Sequence, residues 1–323
     1  MTFTRAELDR ATEVVRRHFG PTPAYSWPLL GREVGAQVWV KHENQTPTGA
    51  FKVRGGLVYV ERARHERPWV KGFVSATRGN HGQSLAYAAR AAGLRAVIVV
   101  PEGNSPDKNA AMKGFGAELI VHGRDFQEAR EYAMGLGEEL DLEPVPAFHP
   151  DLVVGVATYA KELFDAAGPL DAVYVPVGMG SGICGLIGVR DLLGLSTEVV
   201  GVVSEAAPAT ALSFVAGEVR TTPEAPTFVD GVACRAPVPE AVERIVRGAA
   251  RVLAVPEDAS AEAMRVMLRT THQLPEPAGA IALAGLLSER DRVSGARVAV
   301  VHSGGNCDAS VLAEVLAGST PRP

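Results

Sequence analysis

Along this chain, short apolar runs alternate with longer stretches whose apolar residues recur every three or four positions. The first stretch reads as a helix. Thr4 and Glu7 fit a capping box ahead of Leu8, Ala11, Val14 and Val15. A short strand over 38–41 and a helix over 49–64 follow. The runs 69–76, 94–100 and 117–121 read as strands, the middle one clearly buried. Helices are predicted at 79–90 with Gly93 as stop, from the Ser105-Pro106 cap to about 115, and at 125–140. Pro144 and Pro146 punctuate the end of this block. Beyond it come a helix (152–167), a strand (171–177), a helix (183–193), a strand (199–204), two helices (241–251 and 259–268) and a last strand (297–302).

Such alternation implies parallel strands joined by crossover helices, so the expected class is α/β with mostly parallel sheets. The block from about 70 to 147 makes a small three-layer unit, and the remainder builds a second sheet. The expected division is a small domain at 66–147 set into a larger, discontinuous one made of 1–65 and 148–323.

Composition narrows the class. The net charge of -5, with no basic run, offers no footprint for nucleic acid or an anionic membrane. No apolar run is long enough to span a bilayer, and the N-terminus lacks a signal peptide's apolar block. Cys184, Cys234 and Cys307 have neither disulfide nor zinc spacing. Three free thiols point to the cytoplasm, and each reads best as a small buried hydrophobe.

Candidate chemistry gathers in four clusters. In KHENQTPTGAFKVRGG (41–56), Lys52 stands among small and apolar neighbours. A desolvated amine there has a lowered pKa and can attack a carbonyl; the alternative is a solvated lysine whose stem packs on Phe51. TRGNHGQS carries Asn80 and His81. GMGSGICG (178–185) lets backbone N–H groups crowd round a phosphate ahead of a helix, although glycine also serves plain turn geometry. Ser303-Gly304-Gly305-Asn306 is the fourth cluster. Three of the four fall just past a strand's end, where open α/β sheets bind ligands.

In order and content, these clusters resemble the fold-type II pyridoxal-phosphate (PLP) enzymes, within them the serine/threonine dehydratase and serine racemase group. The resemblance runs from about Pro21 to about Leu316. It implies a tryptophan synthase β-like arrangement of two three-layer αβα domains. It also implies that Lys52 forms a Schiff base with PLP and that Phe51 and Gly231 flank the ring. Asn80 would then contact the ring hydroxyl, and Ser303 the ring nitrogen. Gly178, Met179, Gly180 and Ser181 would cradle the phosphate. Substrate would bind at Ser75, Arg78, Gly79, Asn80 and His81, with His81 as loop support and not as base. Glu276, in EPAGAIALAGLL, reads as structural rather than catalytic. The implied reaction is β-elimination from a β-hydroxy-α-amino acid such as L-threonine or L-serine. Hydroxyaspartate or phenylserine dehydration, racemisation, and a non-catalytic PLP or amino-acid sensor stay open. A homodimer is expected from the resemblance.

Three departures bear on that reading. Met179 and Ser181 interrupt the family's four glycines. Arg78 stands where relatives carry serine or threonine, and a guanidinium cannot serve as a second acid/base. Glu205 is followed six residues on by Ala211 rather than by an aspartate, so no metal site is expected.

Overall fold

The computed structural model describes residues 3–124 and 126–322. Helix α1 (Arg5–Arg16) carries the expected capping box, with Thr4 and Glu7 bonding reciprocally. Strand β1 (Ala24–Ser26) and helix α2 (Pro28–Val34) lead to β2 (Gln37–His42), and helix α3 (Lys52–Glu66) then crosses to a second sheet. That region contains β3 (Gly72–Ala76), α4 (Asn80–Ala91), β4 (Arg95–Val100), α5 (Pro106–Gly114), β5 (Glu118–Val121), α6 (Phe126–Leu140) and β6 (Glu143–Pro144). The chain returns through α7 (Pro150–Ala167), β7 (Ala172–Pro176), α8 (Ser181–Leu192), β8 (Glu198–Ser204), α9 (Ala209–Ala216), α10 (Pro239–Gly248) and β9 (Arg251–Val255). It closes with α11 (Glu257–Thr271), α12 (Pro277–Ser288), β10 (Arg297–His302) and α13 (Ala309–Leu316).

The larger sheet has the order β1-β2-β10-β7-β8-β9, and only β1 runs antiparallel to its neighbour. The smaller has the order β5-β4-β3-β6 and is wholly parallel. This is the α/β, parallel-dominated fold that the alternation predicts. Strand residues alternate between faces, and both faces are apolar because helices cover both. Val173, Val175, Val199 and Val203 join one core with α7 and α8. Their neighbours Tyr174, Val200 and Val202 join the opposite core with α11 and α12. In the smaller sheet, Phe73, Ala96 and Ile98 face α4, while Val74, Val97 and Val99 face α6.

Several boundaries differ from expectation. The helix predicted at 241–251 stops at Gly248, and Arg251 opens β9. The helix predicted from Gly49 begins at Lys52, because Gly49 turns the chain at φ 69°. Trp69, predicted to open a strand, is exposed three residues ahead of β3. Asp125, the expected first residue of α6, lies outside the described residues.

Candidate active site

Lys52 is the first helical residue of α3 and is half-buried. Its Nζ makes no hydrogen bond or ion pair among the described residues and lies 5.3 Å from the centroid of the Phe51 ring. Burial pushes the amine down to about 8, against the opposing charge of Glu276. An unpaired amine of this kind is a nucleophile near neutral pH.

Three helix starts meet at this amine. Lys52 from α3, His81 from the first turn of α4 and Ser181 from the start of α8 line one narrow cleft with Gly55, Ala147, Leu152 and Val156. Each start presents free backbone N–H groups, so the place favours anions. The His81 imidazole is buried with Nε2 unpartnered, and burial together with the charge of Lys52 holds it down at about 3. It is therefore neutral at physiological pH.

The glycine loop follows β7, as expected. Gly180 caps α8 at φ 95°, a left-handed conformation that suits glycine. Gly178 packs so tightly on the 230–232 turn that a Cβ would stand 2.5 Å from the Gly231 carbonyl oxygen. A Cβ on Gly182 would meet the Phe51 ring at an ordinary 3.6 Å. Met179 Sδ lies 3.7 Å from Cys234 Sγ, which anchors the side chain that replaces a family glycine. Phe51 itself is held edge-on against Tyr159, with centroids 6.4 Å apart.

Ser303 ends β10. Its carbonyl accepts from Phe51 N at 3.0 Å, and its Oγ donates to Ala278 O at 3.2 Å. Asn80 opens α4, with its Nδ2 donating to Glu276 Oε1 and Oε2 at 2.8 and 3.0 Å. Asn80 Oδ1 accepts from Asn306 Nδ2 at 2.8 Å. The structure thus brings Phe51, Lys52, Asn80, His81, the 178–181 loop, Gly231 and Ser303 to one end of the larger sheet. Two other residues sit differently. Ser75 is buried in β3, where its hydroxyl donates to Val145 O at 2.8 Å. Arg78 is exposed and makes no ion pair or side-chain hydrogen bond among the described residues.

Sequence reasoning did not place three residues here, Lys108, Asp230 and Glu276, and it named Asn306 only as a member of the fourth cluster, with no role. Lys108 reaches from α5 over Gly79 to pair with Asp230, beside Gly231. Glu276 is 2 % exposed, and burial pushes its carboxyl up to about 7 with Lys108 and Lys52 opposing. The EPAGA stretch marks the start of α12, but nothing local shows that the Glu276 side chain faces the cleft.

An unpaired lysine, an anion-seeking glycine loop, a packed aromatic face and an orphaned buried imidazole form a donor set that fits PLP. Among the described residues no cluster of His, Cys, Asp or Glu could hold a metal ion. None of their helices is long and apolar enough to cross a membrane.

Comparison with known proteins agrees with this geometry. The family model described as pyridoxal-phosphate dependent enzyme matches residues 15–304. L-threonine ammonia-lyase of Thermotoga maritima is 31% identical over 294 residues, 91% of this chain and 73% of that protein. L-threo-3-hydroxyaspartate ammonia-lyase of a Pseudomonas species is 31% identical over 313 residues, 97% of this chain and 98% of that protein. The crystal structure of T.th. threonine deaminase superposes with a TM-score of 0.89 at 31% identity, covering 95% of this chain and 99% of that one. Maize serine racemase shares the fold, with a TM-score of 0.90 at 24% identity over 98% of each chain. With the lysine, the glycine loop and the two parallel sheets in place, the chain belongs to the pyridoxal-phosphate dependent enzymes of fold type II.

Proposed function

We propose that this chain is an ammonia-lyase acting on a β-hydroxy-α-amino acid, with L-threonine or L-serine as default substrate. The products are a 2-oxo acid and ammonia. The observation that carries the reading is Lys52, an unpaired amine pushed down to about 8 where three helix N-termini meet. The ammonia-lyases among its relatives support it.

When bound, PLP supplies an electron sink for the pair released at the substrate's Cα. The chain's own residues do the rest. Lys52 would hold the cofactor, and its amine, when free, would take the α-proton. Backbone N–H groups of 178–181 receive the phosphate. The first turn of α4, with Gly79, Asn80 and His81, receives the substrate carboxylate. Phe51 and Gly231 would flank the ring, Asn80 would meet its oxygen, and Ser303 would meet its nitrogen. A hydroxyl at that nitrogen does not enforce its protonation as a carboxylate would. The sink is then milder, which suits elimination. The β-hydroxyl leaves as water, and the released enamine takes water back as it loses ammonia.

Arg78 favours a second substrate class. An exposed guanidinium without a partner, next to the α4 turn, can receive the extra carboxylate of 3-hydroxyaspartate. The same residue argues against racemisation, because it cannot return a proton to the opposite face. We take the protein to act as a homodimer in the cytoplasm; size-exclusion chromatography tests the dimer.

The test is 2-oxo acid release from L- and D-serine, both threonine diastereomers, both 3-hydroxyaspartate diastereomers and phenylserine. Lys52→Ala should abolish turnover and the cofactor's visible absorption. Retention of both refutes the assignment.

A further inference from the structure

Asn80 is clamped from both ends by residues that the reaction itself does not use. Glu276, at the start of α12, and Asn306, in the loop after β10, come from segments far apart in sequence. The orientations of these groups follow from their partners. Above about pH 7 the Glu276 carboxylate is ionised and only accepts, so it then selects the amide nitrogen of Asn80. Thr48 O also only accepts and takes Asn306 Nδ2 at 2.8 Å, so the same Nδ2 is what Asn306 presents to Asn80 Oδ1. The clamp is tightly seated. Glu276 Oε1 leaves no room for a side chain on Gly304, and a Cβ on Gly49 would stand 2.5 Å from Asn306 Oδ1. The backbone adds a further tie, since Glu276 N donates to Gly304 O at 3.0 Å.

Flipping the Asn80 amide would turn its oxygen toward a carboxylate and its N–H groups toward an amide donor. Both contacts would become repulsive. The two oxygens of one carboxylate lie much closer in angle than the two N–H bonds of an amide. One Asn80 hydrogen therefore serves Glu276, and the second remains to donate.

We propose that Glu276 and Asn306 are positioning residues that lock the Asn80 amide with its nitrogen toward the cofactor's ring oxygen. The proposal rests on the reading that Asn80 faces that oxygen. A donated N–H favours the ring oxygen's ionised form, whereas an accepting carbonyl would favour its protonated form. The clamp thereby sets the resting protonation state of the cofactor. Glu276 acts through Asn80, without contact with the reacting atoms.

The experiment compares the PLP-loaded wild-type enzyme with Glu276→Ala, Glu276→Gln, Asn306→Ala, Asn80→Ala and Asn80→Ala/Glu276→Ala. Without substrate, the ratio of the cofactor's long- and short-wavelength absorption bands is followed against pH. Thermal melting checks that each variant is folded. Removing either clamp residue should shift the band ratio at fixed pH roughly threefold to tenfold, the worth of about one hydrogen bond. Glu276→Gln keeps an acceptor and should restore most of the wild-type ratio. In the Asn80→Ala background, Glu276→Ala should add nothing, as a shared route requires. A folded Glu276→Ala enzyme with the wild-type ratio overturns the proposal. So does an equal shift from Glu276→Ala with and without Asn80, because Glu276 would then act through its charge alone. If Glu276→Ala fails to fold, Asn306→Ala carries the same test alone. Failure of the cofactor-site reading looks different: Lys52→Ala would retain the visible band.

Discussion

Gly178→Ala tests the cofactor cradle most directly. A Cβ there would stand 2.5 Å from the Gly231 carbonyl oxygen, and the obstacle is backbone rather than a side chain that can swing away. Gly231 has little room to retreat. Its own Cβ position lies 2.6 Å from Ala278 Cβ, and the neighbouring Asp230 is held by Lys108. The two loops must part, and overpacking of this kind costs about 1–3 kcal/mol. Both loops border the proposed cofactor site, so PLP affinity should fall roughly fivefold to 150-fold. Gly182→Ala is the matched control. Its Cβ would meet its nearest neighbours at 3.6–3.8 Å, and the residue lies in the first turn of α8, where alanine is the better helix former by up to about 1 kcal/mol. Its affinity should stay within about twofold of wild type, well inside the worth of one hydrogen bond. The assay titrates apoenzyme with PLP and follows the visible absorption, with thermal melting in parallel. A Gly178→Ala protein with wild-type affinity and melting temperature refutes the reasoning. Equal losses from both variants would also refute it, because the loop would then need glycine for freedom and not for space.

Other consequences can be measured separately. Because Lys52 titrates at about 8, covalent capture of PLP by apoenzyme should speed up roughly tenfold per pH unit below about pH 8 and level off above it; a rate flat from about pH 6 to 8 contradicts this. Glu276 has a folded pKa above its unfolded value, so the folded chain binds more protons between the two. Its favourable contribution is present below the unfolded value and is lost as pH rises through about 7, so Glu276→Gln should gain on wild type in denaturant melts over that range. Glu162→Gln removes the negative charge shared by Lys41 and Arg54 and should cost about 3–5 kcal/mol in urea unfolding, since its loss leaves buried positive charge uncompensated. Glu205 is exposed and has Ala211 six residues on, so activity should survive chelators; a large loss restored by magnesium contradicts this.

Much of the fold is legible in the sequence because buried parallel strands are short and apolar on both faces. β4, β7, β8 and β10 all fall within two residues of the predicted runs. The misses have physical causes. β1 has three residues and exposes Tyr25, so it shows no apolar run. β9 follows α10 after two residues, and Val252 continues the helical spacing of Ala241, Val242 and Ile245. Asn80 and Asn306 stand in candidate clusters, but their link through Glu276 and each other is invisible, because the three members are spread from 80 to 306 along the chain. Lys108 is hidden in the same way, as one lysine in a polar first turn of α5.

The residues that follow Lys52 show how its position is fixed. Val53 packs into the core, and Arg54 is fully buried. Its guanidinium reaches Glu43 at 2.6 and 3.0 Å, Glu162 at 2.8 and 3.0 Å, Thr22 at 3.1 Å and Thr158 at 3.0 Å. Lys41 joins the same group through Glu162 and Thr22. Well-packed apolar residues could stabilise that space equally well, so stability alone does not account for the network. Directional bonds do what apolar contacts do not: they fix the rotation of α3 about its axis, and with it the direction in which Lys52, two residues earlier, can point. Gly55 and Gly56 complete the restraint. A Cβ on Gly55 would stand 2.8 Å from Leu152 O in α7, and one on Gly56 would meet the Ser84 side chain and its carbonyl oxygen in α4. The helix is thus wedged between two others with no side chain to hold them apart. Ser84 Oγ donates to Lys52 O at 2.7 Å and ties α4 to the lysine's own backbone. FKVRGG therefore combines one reactive amine with the contacts that aim it.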